Sequence, residues 1–210
     1  MGFFDILTKP EETMNALVSK ANLNDALKTF AIYGAIVGFI VGVVFALLFT
    51  AISAIPGMAS ANPSIGLFAG LGILAIIVGP ILGIIFAIVG SAIGYGIIWL
   101  CAKLLGGKGT FTQNYYLASK LVWPFLVAGL VVYIVGSILM LVFIGFLIIL
   151  AFELYMIFVS VVLVSVANKI SKLRALAAIL LPIIVFGIIA IILAIIVALA
   201  VSSAGPTVVY

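Results

Sequence analysis

The sequence predicts an all-α membrane protein, a five-span transmembrane helical bundle with a short N-terminal amphipathic surface helix. Three observations carry this. Of the 210 residues, 68% are hydrophobic and only 7% are charged, with a mean hydropathy of +1.60. A soluble domain carries roughly 25% charged residues, so a chain of this make-up needs lipid as its solvent. The apolar residues run in long blocks rather than at amphipathic spacing, which is the pattern of helices surrounded by apolar matter on all sides. The nine basic residues gather in short clusters between those blocks, and their placement sets the number of crossings. A β-barrel would need strands that alternate apolar and polar residues, and Ile191–Val197 shows no alternation.

Residues 1–25 read as a cytoplasmic segment. Thr8-Lys9-Pro10-Glu11 fits the S/T-x-x-E capping box, with proline where an early helical position tolerates it. Met14, Leu17, Val18 and Ala21 then recur at helical spacing, which predicts a helix lying on the cytoplasmic surface and anchoring the first span. Phe3, Phe4, Ile6 and Leu7 are placed to dip into the interface. Asn22 or Asn24 caps the next helix, with Asp25 in its first turn. This polar stretch precedes the first long apolar run, so the first span reads as a retained helix rather than a signal peptide.

A crossing needs about 20 apolar residues. Leu27–Ile55 supplies the first, and Pro56-Gly57 with Ser60–Ser64 reads as a loop. The second occupies Leu67–Ala102, whose surplus length implies an oblique or interfacial stretch at its start or a bend at Gly79-Pro80. The third and fourth, Tyr115–Leu139 and Ile144–Val166, share a tight turn flanked by Gly136 and Gly145. The fifth is Arg174–Val201, and residues 202–210 form a short outward tail. With five spans the N-terminal lysines, the loop bearing Lys103 and Lys108, and the loop bearing Lys169, Lys172 and Arg174 all lie inside, as the positive-inside rule asks. A sixth crossing within Ile65–Cys101 would put Lys103 and Lys108 outside.

Small residues mark where spans pack. Gly34, Gly38 and Gly42 form a G-x-x-x-G-x-x-x-G ridge on the first span, and Gly79 with Gly83 and Gly90 with Gly94 repeat the spacing on the second. Helices in lipid associate through close van der Waals contact, which such ridges permit. The first two spans are expected to pack on them within one molecule, with a dimer seam as the alternative.

Chemistry-bearing groups are few. Histidine is absent and Cys101 is the one cysteine, so the commonest general base and any internal disulfide are missing. Glu153 is the one acid deep in a span, where an ionisable group normally faces the bundle interior. It reads either as a proton or ligand site or as an acid hydrogen-bonded to a neighbour such as Tyr133, Ser137 or Tyr155. Trp99 and Tyr95, and Lys120 with Trp123, fit an aromatic belt and a snorkelling lysine at the inner interface. Gly106-Gly107-Lys108-Gly109-Thr110 lacks the full phosphate-loop spacing and follows no strand. No catalytic residue, cofactor site or metal site is expected, and no nucleic-acid partner.

Three segments together resemble a known family. Phe4–Pro10 leads into a short helix before the first span, and Lys103–Phe111 follows the second and precedes a span containing Trp123-Pro124-Phe125. Asn168–Leu176 precedes a last span containing Leu181-Pro182. The chain looks like the Yip-domain family, the Ypt/Rab-interacting integral membrane proteins and their prokaryotic-type relatives. The resemblance covers nearly the whole chain and implies five spans, a cytoplasmic N-terminus and an outward C-terminus. Eukaryotic members are associated with Rab GTPases but use a longer N-terminal region, so Rab binding is not carried over.

The function expected is a non-enzymatic membrane-organising or scaffold role. The basic residues Lys103, Lys108, Lys169, Lys172 and Arg174 would hold anionic lipid head groups or a cytoplasmic protein. The alternative is a small transporter or channel using Glu153 as a protonatable intramembrane site. A homo-oligomer is compatible with either.

Overall fold

In the computed structural model the chain is helical from end to end of its described parts. These are residues 2–55, 63–140 and 143–203, with side chains described for all of them except 63–71, 73 and 200–203. Seven helices follow in order: α1 (Asp5–Thr8), α2 (Pro10–Val18), α3 (Leu23–Ser53), α4 (Pro63–Leu104), α5 (Phe111–Leu139), α6 (Ile144–Asn168) and α7 (Lys172–Ser203). The last five are long and apolar enough to cross a membrane. Most of the expected Pro56–Ser64 loop, the centre of the turn between α5 and α6, and residues 204–210 of the tail lie outside the described residues.

Asn22 caps α3, its side-chain oxygen accepting from the amides of Asn24 (2.9 Å) and Asp25 (3.4 Å), with Asp25 in the first turn. That satisfies two of the amide groups a helix start leaves unpaired. Pro63 begins α4 rather than belonging to a loop, since its fixed φ suits a first helical position. The 42 residues of α4 span about 63 Å at 1.5 Å per residue, twice the roughly 30 Å hydrocarbon core. The helix runs unbroken through Pro80, so the surplus extends one continuous helix.

The closest helix pair is antiparallel α3 and α4. A methyl added at Gly34 would strike the carbonyl of Gly83, at Gly38 that of Gly79, and at Gly42 that of Ala75. One turn further, a methyl on Gly72 would lie 3.0 Å from the Cα of Ala46. The contacts therefore repeat turn by turn, backbone against backbone, at a distance no larger residue permits. Gly90 and Gly94 depart from the expected packing role: a Cβ on either meets nothing within 4 Å. Beyond Ala87 side chains take over the contact, with the Phe30 ring of α3 against that of Tyr95 on α4 (centroids 6.5 Å), and Gly90 and Gly94 border a space between α4, α6 and α7.

A second close crossing joins α5 and α6, where a methyl on Gly145 would strike the carbonyl of Gly136 just inside their turn. Phe143 occupies the left-handed region (φ 60°) as the chain re-enters α6.

The fully buried side chains concentrate at one end of the bundle. Tyr115, Leu117, Val159, Val162, Leu163 and Val164 form its centre, with Met14 of α2 and Ala175 and Ala178 of α7 sealing its sides. The opposite half is open. Every side chain of α7 from Ile183 to Leu199 is exposed, so beyond Pro182 this helix offers an apolar surface suited to lipid.

The N-terminal segment differs from the expectation in its cap. Thr8 makes no capping box: its hydroxyl donates back to the carbonyl of Phe4, and Lys9 precedes α2 without a side-chain cap. Helices α1 and α2 pack against the bundle, burying Ile6, Thr13 and Met14. Tyr155, well inside α6, donates its hydroxyl to the carbonyl of Leu7. Phe3 and Phe4 stay exposed, 53% and 45%, toward the surroundings. The amphipathic α2 thus turns Thr13 and Met14 toward the bundle and keeps Glu11, Glu12, Asn15 and Ala16 on an exposed outer face.

Candidate functional site at the basic end of the bundle

The loop from α4 to α5 and the loop from α6 to α7 interlock. Gly106 takes φ +89°, a conformation natural to glycine, and turns the chain back over α4. The amide of Gly107 then donates to Ala102 O (2.8 Å), and that of Lys108 donates to Asn168 O (2.8 Å). Trp99 donates its indole N–H to Gly109 O (3.2 Å). Gly109 crosses so close to the end of α6 that a methyl there would strike the carbonyl of Ala167. The glycines of the first loop let it pass close against the end of α6 in the second.

Each loop is also closed locally. Thr110 and Gln113 form a reciprocal capping box at the start of α5, with bonds of 3.2 and 2.9 Å. At the end of α6, Lys169 adopts the left-handed region (φ 55°), Ser165 donates its hydroxyl to Ile170 O (2.6 Å), and Ile170 N returns a bond to Ser165 O (3.2 Å). Beneath both loops Asn114 and Asn168 exchange side-chain hydrogen bonds, and each also donates to its own helix, to Thr110 O and Val164 O. This polar core is completely paired, as burial away from water demands.

The joint brings together basic residues far apart in sequence. Lys103, Lys108, Lys169, Lys172 and Arg174 are all exposed at this end. Lys172 pairs with Glu11 of α2 at 2.6 Å, across side chains 51% and 58% exposed. Lys103 lies 5.9 Å over the Trp99 ring, and Lys120 4.7 Å over that of Tyr116. Among the described residues no acid pairs with Lys103, Lys108, Lys169 or Arg174. The arrangement is a rigid positively charged platform suited to phosphate or carboxylate groups.

Glu153 departs from its expected position. It sits nine residues from the Ile144 end of α6 and fifteen from the Asn168 end, on the outward surface of the bundle rather than its interior. Tyr133 of α5 donates its hydroxyl to Oε1 of Glu153, while Tyr155 is engaged with Leu7 instead. Two cavities lie elsewhere. A groove of about 790 Å³ runs along α3 and α4 beside the glycine ridge. A smaller one of about 320 Å³, between α4, α6 and α7, is bounded by Gly90, Ser91, Gly94 and Ser160. Glu153 lines neither.

The Asn114–Asn168 pair and the Thr110–Gln113 box were not singled out by the sequence pattern, and Trp99, read there as part of an aromatic belt, also donates to Gly109 O. The box carries a signal, a threonine three residues before glutamine. The asparagine pair carries none, because each polar residue at the edge of an apolar run looks like an ordinary loop residue.

Comparison with protein families gives a match to the Yip1 domain over residues 4–202. No curated protein and no solved structure matches the chain.

Proposed function

This chain belongs to the Yip1 domain family, and from that premise we propose that it is a non-enzymatic, membrane-organising protein whose basic end faces the cytoplasm and gathers anionic lipid head groups. The observation that carries the reading is the interlocked loop pair, which holds Lys108, Lys169 and Arg174 on a fixed frame without an acid beside them among the described residues. A basic residue at an anionic membrane surface contributes about 1 kcal/mol, attenuated by salt. A rigid frame adds to this by sparing the ordering cost that flexible tails incur on binding. The orientation follows from the same residues, since basic loops are retained on the cytoplasmic side. Glu153 lies apart from both cavities described above, so the geometry lends no support to a carrier built on that acid.

The test uses the full chain in nanodiscs of phosphatidylcholine with a minor fraction of phosphatidylserine. Native mass spectrometry of the protein ejected from the discs is expected to show bound phosphatidylserine enriched over its bulk share. The triple variant Lys108→Gln, Lys169→Gln, Arg174→Gln is expected to lose about tenfold or more of that enrichment at low salt, given about 1 kcal/mol for each cation. Equal enrichment in the variant and the parent would overturn the reading.

A further inference from the structure

The smaller cavity, of about 320 Å³, opens on the side of the bundle: Gly90 and Gly94 are exposed, and a Cβ on either would meet open space. Ile179 of α7 closes one flank, and from Ile183 onward that helix is exposed. The volume is that of a small-ligand pocket. Leu163 and Val164 make the walls apolar, apart from three hydroxyls. Two of these are engaged. Ser160 donates to Met156 O (2.8 Å), and Ser91 donates to Ala87 O while lying 2.9 Å from the Tyr115 hydroxyl. The third, on Tyr95, makes no hydrogen bond among the described residues. Every enclosed side-chain polar atom among those residues has a partner, so the free Tyr95 hydroxyl reaches the open space of the cavity. An unpaired hydroxyl is costly away from water, which leaves the cavity short of one acceptor.

We propose that this cavity holds an acyl chain of a glycerophospholipid from the leaflet at the basic end, with the Tyr95 hydroxyl donating to the chain's ester carbonyl. Depth decides the class of occupant. Tyr95 lies one turn below Trp99, whose indole bonds the basic loop at Gly109 O. It is about 14 Å along the axis from Leu104, which ends α4. The opening therefore faces the zone where the polar interface gives way to hydrocarbon, which the membrane's own lipids reach directly. There an ester carbonyl is the acceptor a phospholipid brings, at the head of a chain that matches the apolar walls. A water cluster suits such walls poorly, since each water needs several polar partners. One turn of a helix about 10 Å across would already overfill the space, so a partner span does not enter it. The chain and its ester are the same under any head group, so the inference does not rest on what the basic platform binds.

The experiment places the full chain in nanodiscs with phosphatidylcholine carrying a photoreactive diazirine near the ester end of one chain. Irradiation is followed by digestion and mass spectrometry of the labelled peptides. Labelling is expected to concentrate in segments 90–98 and 160–164, above that of the exposed α7 segment 183–199. Gly94→Leu fills the cavity from a position with open space beside it, and is expected to lose most of this labelling while melting near the parent. Tyr95→Phe is expected to lower it about 2- to 10-fold, the range for loss of one neutral hydrogen bond. An ether-linked version of the probe, which lacks the ester carbonyl, is expected to label the parent as weakly as the ester probe labels Tyr95→Phe. This comparison uses the parent chain and so does not depend on how a variant folds. Labelling no denser at the cavity than on α7, a folded Gly94→Leu variant labelled like the parent, or equal labelling of the parent by ester and ether probes would each overturn the proposal.

Discussion

Asn114 and Asn168 exchange two amide hydrogen bonds, of 3.2 and 2.8 Å, across a joint where each is at most 1% exposed. The pair couples the start of α5 to the end of α6, and through Asn168 O it fixes the backbone of Lys108 in the other basic loop. Removing one partner leaves the other amide buried and half satisfied, which costs about 1–3 kcal/mol. Asn114→Ala and Asn168→Ala are each expected to lower the thermal midpoint in detergent. The double variant is expected to fall by clearly less than the two losses added together. Strict additivity would show that the two amides do not act as a unit.

The glycine ridge gives a contrast between positions that share a spacing. Gly38→Ala drives a methyl into the carbonyl of Gly79, and the backbone of α3 or α4 has to move. Gly90→Ala places a methyl in open space. The first is expected to cost about 1–3 kcal/mol, the usual range for overpacking a filled contact, and the second to change stability little. Thermal unfolding of the two purified variants against the parent checks this, and equal loss at both positions would contradict the register of α3 on α4.

The Lys172–Glu11 pair is close but well exposed. Pairs of this kind contribute about 0–1 kcal/mol. Lys172→Ala is therefore expected to leave the melting of the bundle nearly unchanged. The Tyr155 bond to Leu7 lies deeper and ties α1 to α6. In hydrogen–deuterium exchange, Tyr155→Phe is expected to speed exchange at residues 5–9 selectively, while Val159–Val164 keep their protection. Uniform faster exchange would mean instead that Tyr155 supports the whole core.

The proposed orientation is checked by labelling single cysteines in sealed vesicles, in a Cys101→Ser background. Lys108→Cys and Lys169→Cys are expected to react with an impermeant maleimide from the cytoplasmic side only, and Ile55→Cys from the opposite side only. Labelling of Lys108→Cys and Ile55→Cys from one side would contradict an odd number of crossings and the placement of the basic end.

The sequence by itself determined the solvent, the helical class and the number of long apolar helices, because these follow from sums along the chain. Bulk hydropathy selects lipid, and lipid admits helices whose backbone groups are paired within each segment. Even the α3–α4 contact left a local trace, since only glycine at every fourth position allows two backbones to meet. Tertiary structure alone decided the rest. It ended the ridge at Gly83 and Ala87 while the glycine spacing continued through Gly90 and Gly94, because what stands opposite a glycine depends on the neighbouring helix and not on its own. It packed α1 and α2 against the bundle, because the burial of Ile6 and Met14 depends on what α5 and α6 offer them. It paired Asn114 with Asn168, 54 residues apart, and turned Glu153 outward toward Tyr133. Hydrogen bonds between distant polar groups depend on where separate helices stand relative to one another, and that arrangement is written in their contacts rather than in any local pattern.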